Sequence, residues 1–165
     1  MTEWSLHYKN YTPRTIPMRN KTSVSGVYIF SPEEKCHNET QHYATPTGLD
    51  AFIGDLAVQI AINWEDKLLT KITIFNDLSN VQIETLFTKD FRNRKQGEEI
   101  VMIIDTDIQN NKTFYTDSNG MEMQKRVLNL RENWDWNVDE PISGNYYPIT
   151  SSIYIEDPAT QKRAT

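Results

Sequence analysis

A strict two-residue alternation runs through the middle of the chain, where Val58, Ile60, Ile62 and Trp64 fall on one side and Gln59, Ala61 and Asn63 on the other. That is the period of a strand with one face buried. Glu65-Asp66-Lys67 then reads as a turn, Leu69 to Phe75 as a second strand, Asn76 to Asn80 as a turn, and Val81, Ile83, Thr85 and Phe87 as a third strand. Short strands at this spacing predict an all-β, antiparallel β-sandwich rather than βαβ units.

The alternation recurs around a second signal. Asp117-Ser-Asn-Gly120 lies between Phe114-Tyr-Thr on one side and the alternating Met121, Met123 and Val127 on the other. Asn and Gly accept positive φ at low cost, so this stretch predicts a hairpin turn. Farther on, Gly144-Asn-Tyr-Tyr-Pro148 places two amphipathic rings beside a φ-locking proline, an aromatic corner. Trp134, Trp136 and the acidic residues up to Glu140-Pro141 read as the loop between them.

Elsewhere the pattern is less regular. Trp4, Leu6, Tyr8 and Tyr11 alternate before Pro13 and Pro17 interrupt them, which predicts one short strand and then a loop. Val24 to Phe30 reads as a buried strand with a close backbone approach at Gly26. The polar stretch from Pro32 to Gly54 predicts a long loop. Ile100-Val-Met-Ile-Ile104 is apolar throughout and predicts a central strand covered on both faces. Ser152 to Glu156 predicts the last strand, followed by a turn at Asp157-Pro158.

With 165 residues the chain is expected to form a single β-rich segment, 1–165, with a core of its own. It carries 17 basic and 23 acidic residues, a net charge of −6, which argues against a surface that tracks nucleic-acid phosphates. A mean hydropathy of −0.64 is polar for a self-sufficient core and suits a piece that leans on a neighbour. No apolar run is long enough to span a bilayer. Asn10-Tyr-Thr, Asn20-Lys-Thr, Asn38-Glu-Thr and Asn111-Lys-Thr are formal N-glycosylation acceptors in polar contexts, which points to the lumen of the secretory pathway. Cys36 is the sole cysteine, so no internal disulfide bears on the compartment.

Candidate chemistry is sparse. Cys36, His37, Glu39 and His42 are metal-ligand types, yet they lack the paired spacing of a closed zinc site and read as a solvated loop. Asp117 and Asn119 resemble the start of a calcium loop whose closing carboxylate is missing, so the turn is the better reading. Asp105 and Asp107 share one strand face and read as an acidic strand end. Lys125, Arg126 and Arg131 read as a solvated face or interdomain salt bridges. The residues by themselves describe a β-rich module with no complete active site.

Ser25-Gly-Val-Tyr-Ile-Phe30, Phe114 to Gly120 and Gly144 to Pro148, in that order, resemble the glycoside hydrolase family 38 α-mannosidases, in the β-rich region after the catalytic domain. Arg131-Glu-Asn-Trp-Asp-Trp136 makes the likeness closer to the lysosomal or vacuolar branch. The resemblance implies part of a galactose mutarotase-like supersandwich, incomplete in itself. It implies a retaining enzyme that removes terminal α-mannose from N-linked glycans. The zinc ion and the catalytic carboxylates would sit in a catalytic domain absent from this chain. One motif tyrosine reaches the substrate cleft in that family, and here it falls on Tyr28; the plainer reading of Tyr28 is a core strand tyrosine. The family pattern continues a strand beyond Thr165, which implies a portion of a larger enzyme. The expected partners are the catalytic domain and mannose-bearing glycans, in a lysosome or secretory lumen. The other open reading is a stand-alone β-sandwich that binds glycans or a partner and catalyses nothing.

Overall fold

The computed structural model describes residues 4–11, 15–18, 21–24, 45–65, 68–88, 99–139 and 141–165. Within them lie twelve strands: β1 (Trp4–Tyr11), β2 (Thr15–Met18), β3 (Lys21–Val24), β4 (Pro46–Ile53), β5 (Ala57–Trp64), β6 (Leu68–Phe75), β7 (Val81–Phe87), β8 (Glu99–Thr106), β9 (Thr113–Ser118), β10 (Glu122–Val127), β11 (Ile153–Glu156) and β12 (Arg163–Ala164). A 3-10 turn spans Ser143–Asn145. The described architecture is all-β, and every pairing with a defined register is antiparallel. Two compact units divide the chain: one contains Ile104–Thr165 with β2 and β3, the other His7–Tyr11 and β4 to β7.

In the second unit β4, β5, β6 and β7 form a meander in chain order. The registers place Leu49, Ile62, Thr70 and Thr85 in one row, Ala51, Ile60, Ile72 and Ile83 in the next, and Ile53, Val58, Ile74 and Val81 in a third. Because side chains alternate across a strand, one face of this sheet is almost wholly apolar. The opposite face carries Asp50, Gln59, Asn63, Lys71, Thr73, Gln82 and Glu84 among its residues.

One end of the apolar face is closed. Tyr8, Trp64 and Leu68 form its buried cluster, with Ile62, Phe87 and Ile100 packed against them. Tyr8 meets Trp64 edge to face at 5.3 Å. The polar tips of both rings converge on Thr70, which is fully buried. Trp64 Nε1 donates to Thr70 Oγ1 at 3.0 Å, and the Tyr8 hydroxyl lies 2.7 Å from Thr70 Oγ1 and 2.8 Å from Thr85 Oγ1. Each buried polar atom thus has a partner, which removes the desolvation penalty an orphaned group would carry. The other end of the face is open: Ile53, Ile74 and Val81 are 85%, 38% and 41% exposed, and Leu49, on the outer strand β4, is 66% exposed.

In the first unit the order is β10-β9-β11-β12. The β9–β10 hairpin turns at Asn119 (φ 52°) and Gly120 (φ 71°), with Met121 N donating to Ser118 O at 2.9 Å. Two consecutive positive φ values are what an Asn-Gly hairpin turn requires, as the sequence predicts.

The structure corrects four expectations. Pro46–Ile53 is strand β4 rather than loop; its Leu49, Ala51, Ile53 alternation sits behind Gly48 and a register irregularity at Pro46. Thr15–Met18 and Lys21–Val24 pair as β2 and β3, with Pro17 opposite Thr22, so a proline-bearing stretch is a strand here, as it is tolerated at sheet edges. The apolar run of β8 is not covered on both faces, since Met102 and Ile104 are 44% and 46% exposed. Among the described strands β8 pairs with β1. Finally, β11 is followed by another strand, β12, through a tight turn at Asp157.

Replacing Thr70 by Val removes the acceptor of the Trp64 N–H and is expected to cost about 1–3 kcal/mol in urea unfolding. Tyr8→Phe leaves Thr70 still bonded to Trp64 and is expected to cost less. Equal losses for the two variants would contradict the assignment of Thr70 as the shared partner.

Candidate functional site

The first unit gathers most of the singled-out residues, and Asp117 is central to them. It sits at the end of β9, 5% exposed, with a carboxylate surrounded by backbone N–H groups. Oδ1 accepts from Thr150, Ser151 and Ser152 at 2.8, 3.1 and 3.3 Å, and Oδ2 accepts from Gly120 at 2.8 Å. Asp117 N also donates to Ser152 O at 3.1 Å. One side chain thereby fastens the hairpin turn to the segment that leads into β11. Burial pushes the Asp117 carboxyl up, but the four N–H donors outweigh it and hold the group well below the usual carboxylate range. Donors reach both oxygens, so this carboxylate serves as an anchored anion.

On the sheet face that carries Phe114, Thr116 and Arg126, the loop after β10 folds into an alternating stack of cations and rings. Arg131 lies 4.3 Å from the Trp136 ring and 5.2 Å from the Tyr147 ring, and Arg126 lies 4.6 Å from Tyr147. Tyr147 also meets Phe114 edge to face at 5.5 Å. Guanidinium planes are weakly hydrated and suit ring faces, which is why arginine rather than lysine fits here. Hydrogen bonds fix both cations: Arg126 Nε donates to the buried Thr116 hydroxyl at 3.2 Å, and Arg131 donates to the carbonyls of Leu130 and Gly144.

Gly144 explains itself by space. A Cβ there would lie 2.6 Å from Trp136 Cη2 and closer still to Cζ2, so only glycine lets the indole lie against the chain. Its neighbour Asn145 accepts from Asn129 N at 2.9 Å and donates to Asn129 Oδ1 and Pro141 O at 2.7 and 2.8 Å, pinning the left-handed Asn129. The aromatic corner is therefore a tie between the two ends of the 128–147 loop. Arg126 and Arg131 are engaged inside this unit, which corrects their reading as a solvated face or interdomain salt bridges. The sequence signal for the stack is the co-occurrence of Arg131, Trp136 and Gly144, which spacing by itself does not connect.

The opposite sheet face carries a second ladder. Tyr115 stacks on Tyr154 at 4.3 Å, and Arg163 lies 4.4 Å over Tyr154 while its Nε donates to Glu156 Oε2 at 2.7 Å. Asp157 closes the β11–β12 turn by accepting from the Thr160 hydroxyl at 2.7 Å and from Ala159 N at 2.8 Å, and these bonds, the hydroxyl first, lower its pKa.

The remaining sequence candidates are placed as follows. Asp107 is ion-paired with Lys162 at 3.0 Å, and Asp105 is exposed on β8. Tyr28, Gly26, Asn20, Asn38, and the Cys36, His37, Glu39, His42 group lie outside the described residues; Asn10 lies on β1 and Asn111 in an exposed turn. Among the described residues no three His, Cys, Asp or Glu side chains group closely enough to share a metal ion, so they offer no zinc site. No helix among them is long and apolar enough to cross a membrane.

Asp117 and Asp157 have folded pKa values below their unfolded ones, so their stabilisation is present above the unfolded value of about 3.9 and is lost as pH falls below it. The urea midpoint is expected to hold between about pH 6 and 5 and to drop below about pH 4. Asp117→Asn places an N–H₂ among N–H donors; it is expected to lower the midpoint at pH 6 and flatten the acid-side drop. Gly144→Ala must displace Trp136 and is expected to cost about 1–3 kcal/mol, with near-ultraviolet dichroism of the indole reduced.

The sequence matches one family of known proteins. The sequence profile of the glycosyl hydrolases family 38 C-terminal domain covers residues 9–163. The chain is 33% identical to a lysosomal α-mannosidase of Dictyostelium discoideum over 84% of its own length and 14% of the relative's. It is 31% identical to a probable α-mannosidase of Arabidopsis thaliana over 81% of its length and 13% of the relative's. It is 30% identical to the lysosomal α-mannosidase of Bos taurus, over 82% and 13% respectively. A profile spanning nearly the whole chain, together with these relatives, shows that the chain belongs to glycosyl hydrolase family 38, in its C-terminal domain.

Proposed function

We propose that this chain serves as the non-catalytic, β-rich scaffold of a zinc-dependent, retaining α-mannosidase that releases terminal α-D-mannose from N-linked glycans. The observation that carries this reading is the family 38 C-terminal profile over residues 9–163, joined to relatives named α-mannosidases. The chain spans 14% of the Dictyostelium relative, and in this reading the catalytic carboxylates and the zinc ligands belong to the rest of such an enzyme. What this chain contributes is position and shape. The Asp117 clamp and the Arg131 stack hold loops of one unit in fixed geometry, which is what orienting a substrate against a separate catalytic domain demands.

The open end of the β4–β7 face supports a scaffold over a stand-alone glycan-binding module. Ile53, Ile74 and Val81, with Leu49 exposed on β4, form an apolar surface of the kind that another protein layer covers. Relatives named lysosomal α-mannosidases support a lysosomal or secretory-lumen location. The depressed pKa of Asp117 suits an acidic lumen, because the clamp stays charged there.

Within this reading Tyr28 borders the mannose site and hydrogen-bonds the sugar. The test is Tyr28→Phe in the complete enzyme, assayed on an aryl α-mannoside. Loss of one hydrogen bond of ~1.4 kcal/mol is expected to lower kcat/KM about tenfold. Unchanged kcat/KM removes Tyr28 from the site. Mannoside turnover by the isolated 165-residue chain would overturn the scaffold reading altogether.

A further inference from the structure

We propose that Asn111 carries an N-linked glycan, an inference that rests on the lumenal placement given above. The acceptor triplet Asn111-Lys112-Thr113 forms most of a tight turn, with Asn111 at φ 48° and Lys112 at φ 62°. The turn is closed by its neighbours. Thr113 N donates to Asn110 O at 2.8 Å, the Asn110 side chain donates to Thr113 O at 2.8 Å, and Leu128 N donates to Lys112 O at 2.9 Å. Buried Ile108 and strand β9 flank it on either side.

The division of labour between the two adjacent asparagines is the informative feature. Asn110 spends its carboxamide on holding the turn, while Asn111 is exposed and its carboxamide makes no hydrogen bond among the described residues. Asn111 therefore loses no native contact when its amide nitrogen is modified, and Asn is among the few residues that adopt its backbone conformation readily. In the modification, the Asn111 amide nitrogen bonds to the anomeric carbon of a lipid-pyrophosphate-linked oligosaccharide. The anomeric C–O bond breaks, the lipid pyrophosphate leaves, and the amide gives up one proton. A glycan at this turn also fixes an orientation: the end of the sheet at Asn110–Thr113 and Leu128 faces solvent in the assembled enzyme.

The test directs the chain into the secretory lumen of a eukaryotic host and examines the peptide containing position 111 before and after peptide-N-glycosidase. The expected result is a glycopeptide that the enzyme converts to a deamidated peptide at position 111. Asn111→Gly, which tolerates positive φ, is expected to lose one glycan's mass with secretion retained. Thr113→Ser, which keeps the acceptor triplet, is expected to retain the glycan. An unmodified position 111 in material glycosylated at another acceptor overturns the proposal, as does an unchanged mass for Asn111→Gly. Recovery of the native chain outside the lumenal fraction, bare at all four acceptors, would overturn the lumenal placement and the glycan with it.

Discussion

The first unit depends on one buried carboxylate. Asp117 accepts four backbone N–H bonds from two segments thirty residues apart in sequence, and no other described side chain joins so many. Without it, Thr150 to Ser152 would present three N–H groups to a partly buried environment with nothing to accept them, a cost that segments of irregular backbone avoid. The same bonds set the approach of β11 to β9, where Ile153 and Tyr154 pair with Thr116 and Tyr115. The Tyr115–Tyr154 ladder on one face follows from that register. Thr116, beside Asp117, meanwhile holds Arg126 on the other face.

Two polar devices thus do in this unit what an apolar core does in the other. The second unit is held by an amphipathic meander whose buried end is sealed by Tyr8, Trp64 and Leu68, with Thr70 absorbing the polar tips of both rings. In the first unit the described buried residues include Thr116, Asp117 and Asp157 as well as Ile108. Its loops are fixed by hydrogen bonds and by guanidinium planes laid on aromatic rings. Such contacts are directional, so they define loop geometry more sharply than apolar burial of the same area would.

Much of the fold is legible in the residues because its signals are local. The strands β5, β6 and β7 follow from period-two alternation within seven or eight residues, and the β9–β10 turn follows from Asn119-Gly120. The misread segments are those whose state depends on a partner. Strand β4 looks like loop until β5 supplies its hydrogen bonds, and Pro17 looks like a breaker until β3 pairs with β2. The run in β8 looks doubly covered because apolar content cannot reveal which side chains a neighbour covers, and Met102 and Ile104 are exposed.

The candidate site divides along the same line. The motifs Phe114 to Gly120 and Gly144 to Pro148 identify the family from the sequence, since residue order is all that recognition requires. Their physical work is a tertiary fact. Asp117 is an ordinary turn aspartate until Thr150 to Ser152 reach it, and Gly144 is an ordinary flexible point until Trp136 lies against it. The sequence by itself determined the β class, the hairpin turn and the family, because alternation, turn chemistry and motif order are written along the chain. Only the tertiary structure decided that Asp117 is a clamp and that Arg126 and Arg131 are stacked inside their own unit. Those roles belong to residues brought together across 5 to 35 positions of chain, a closeness that no local pattern encodes.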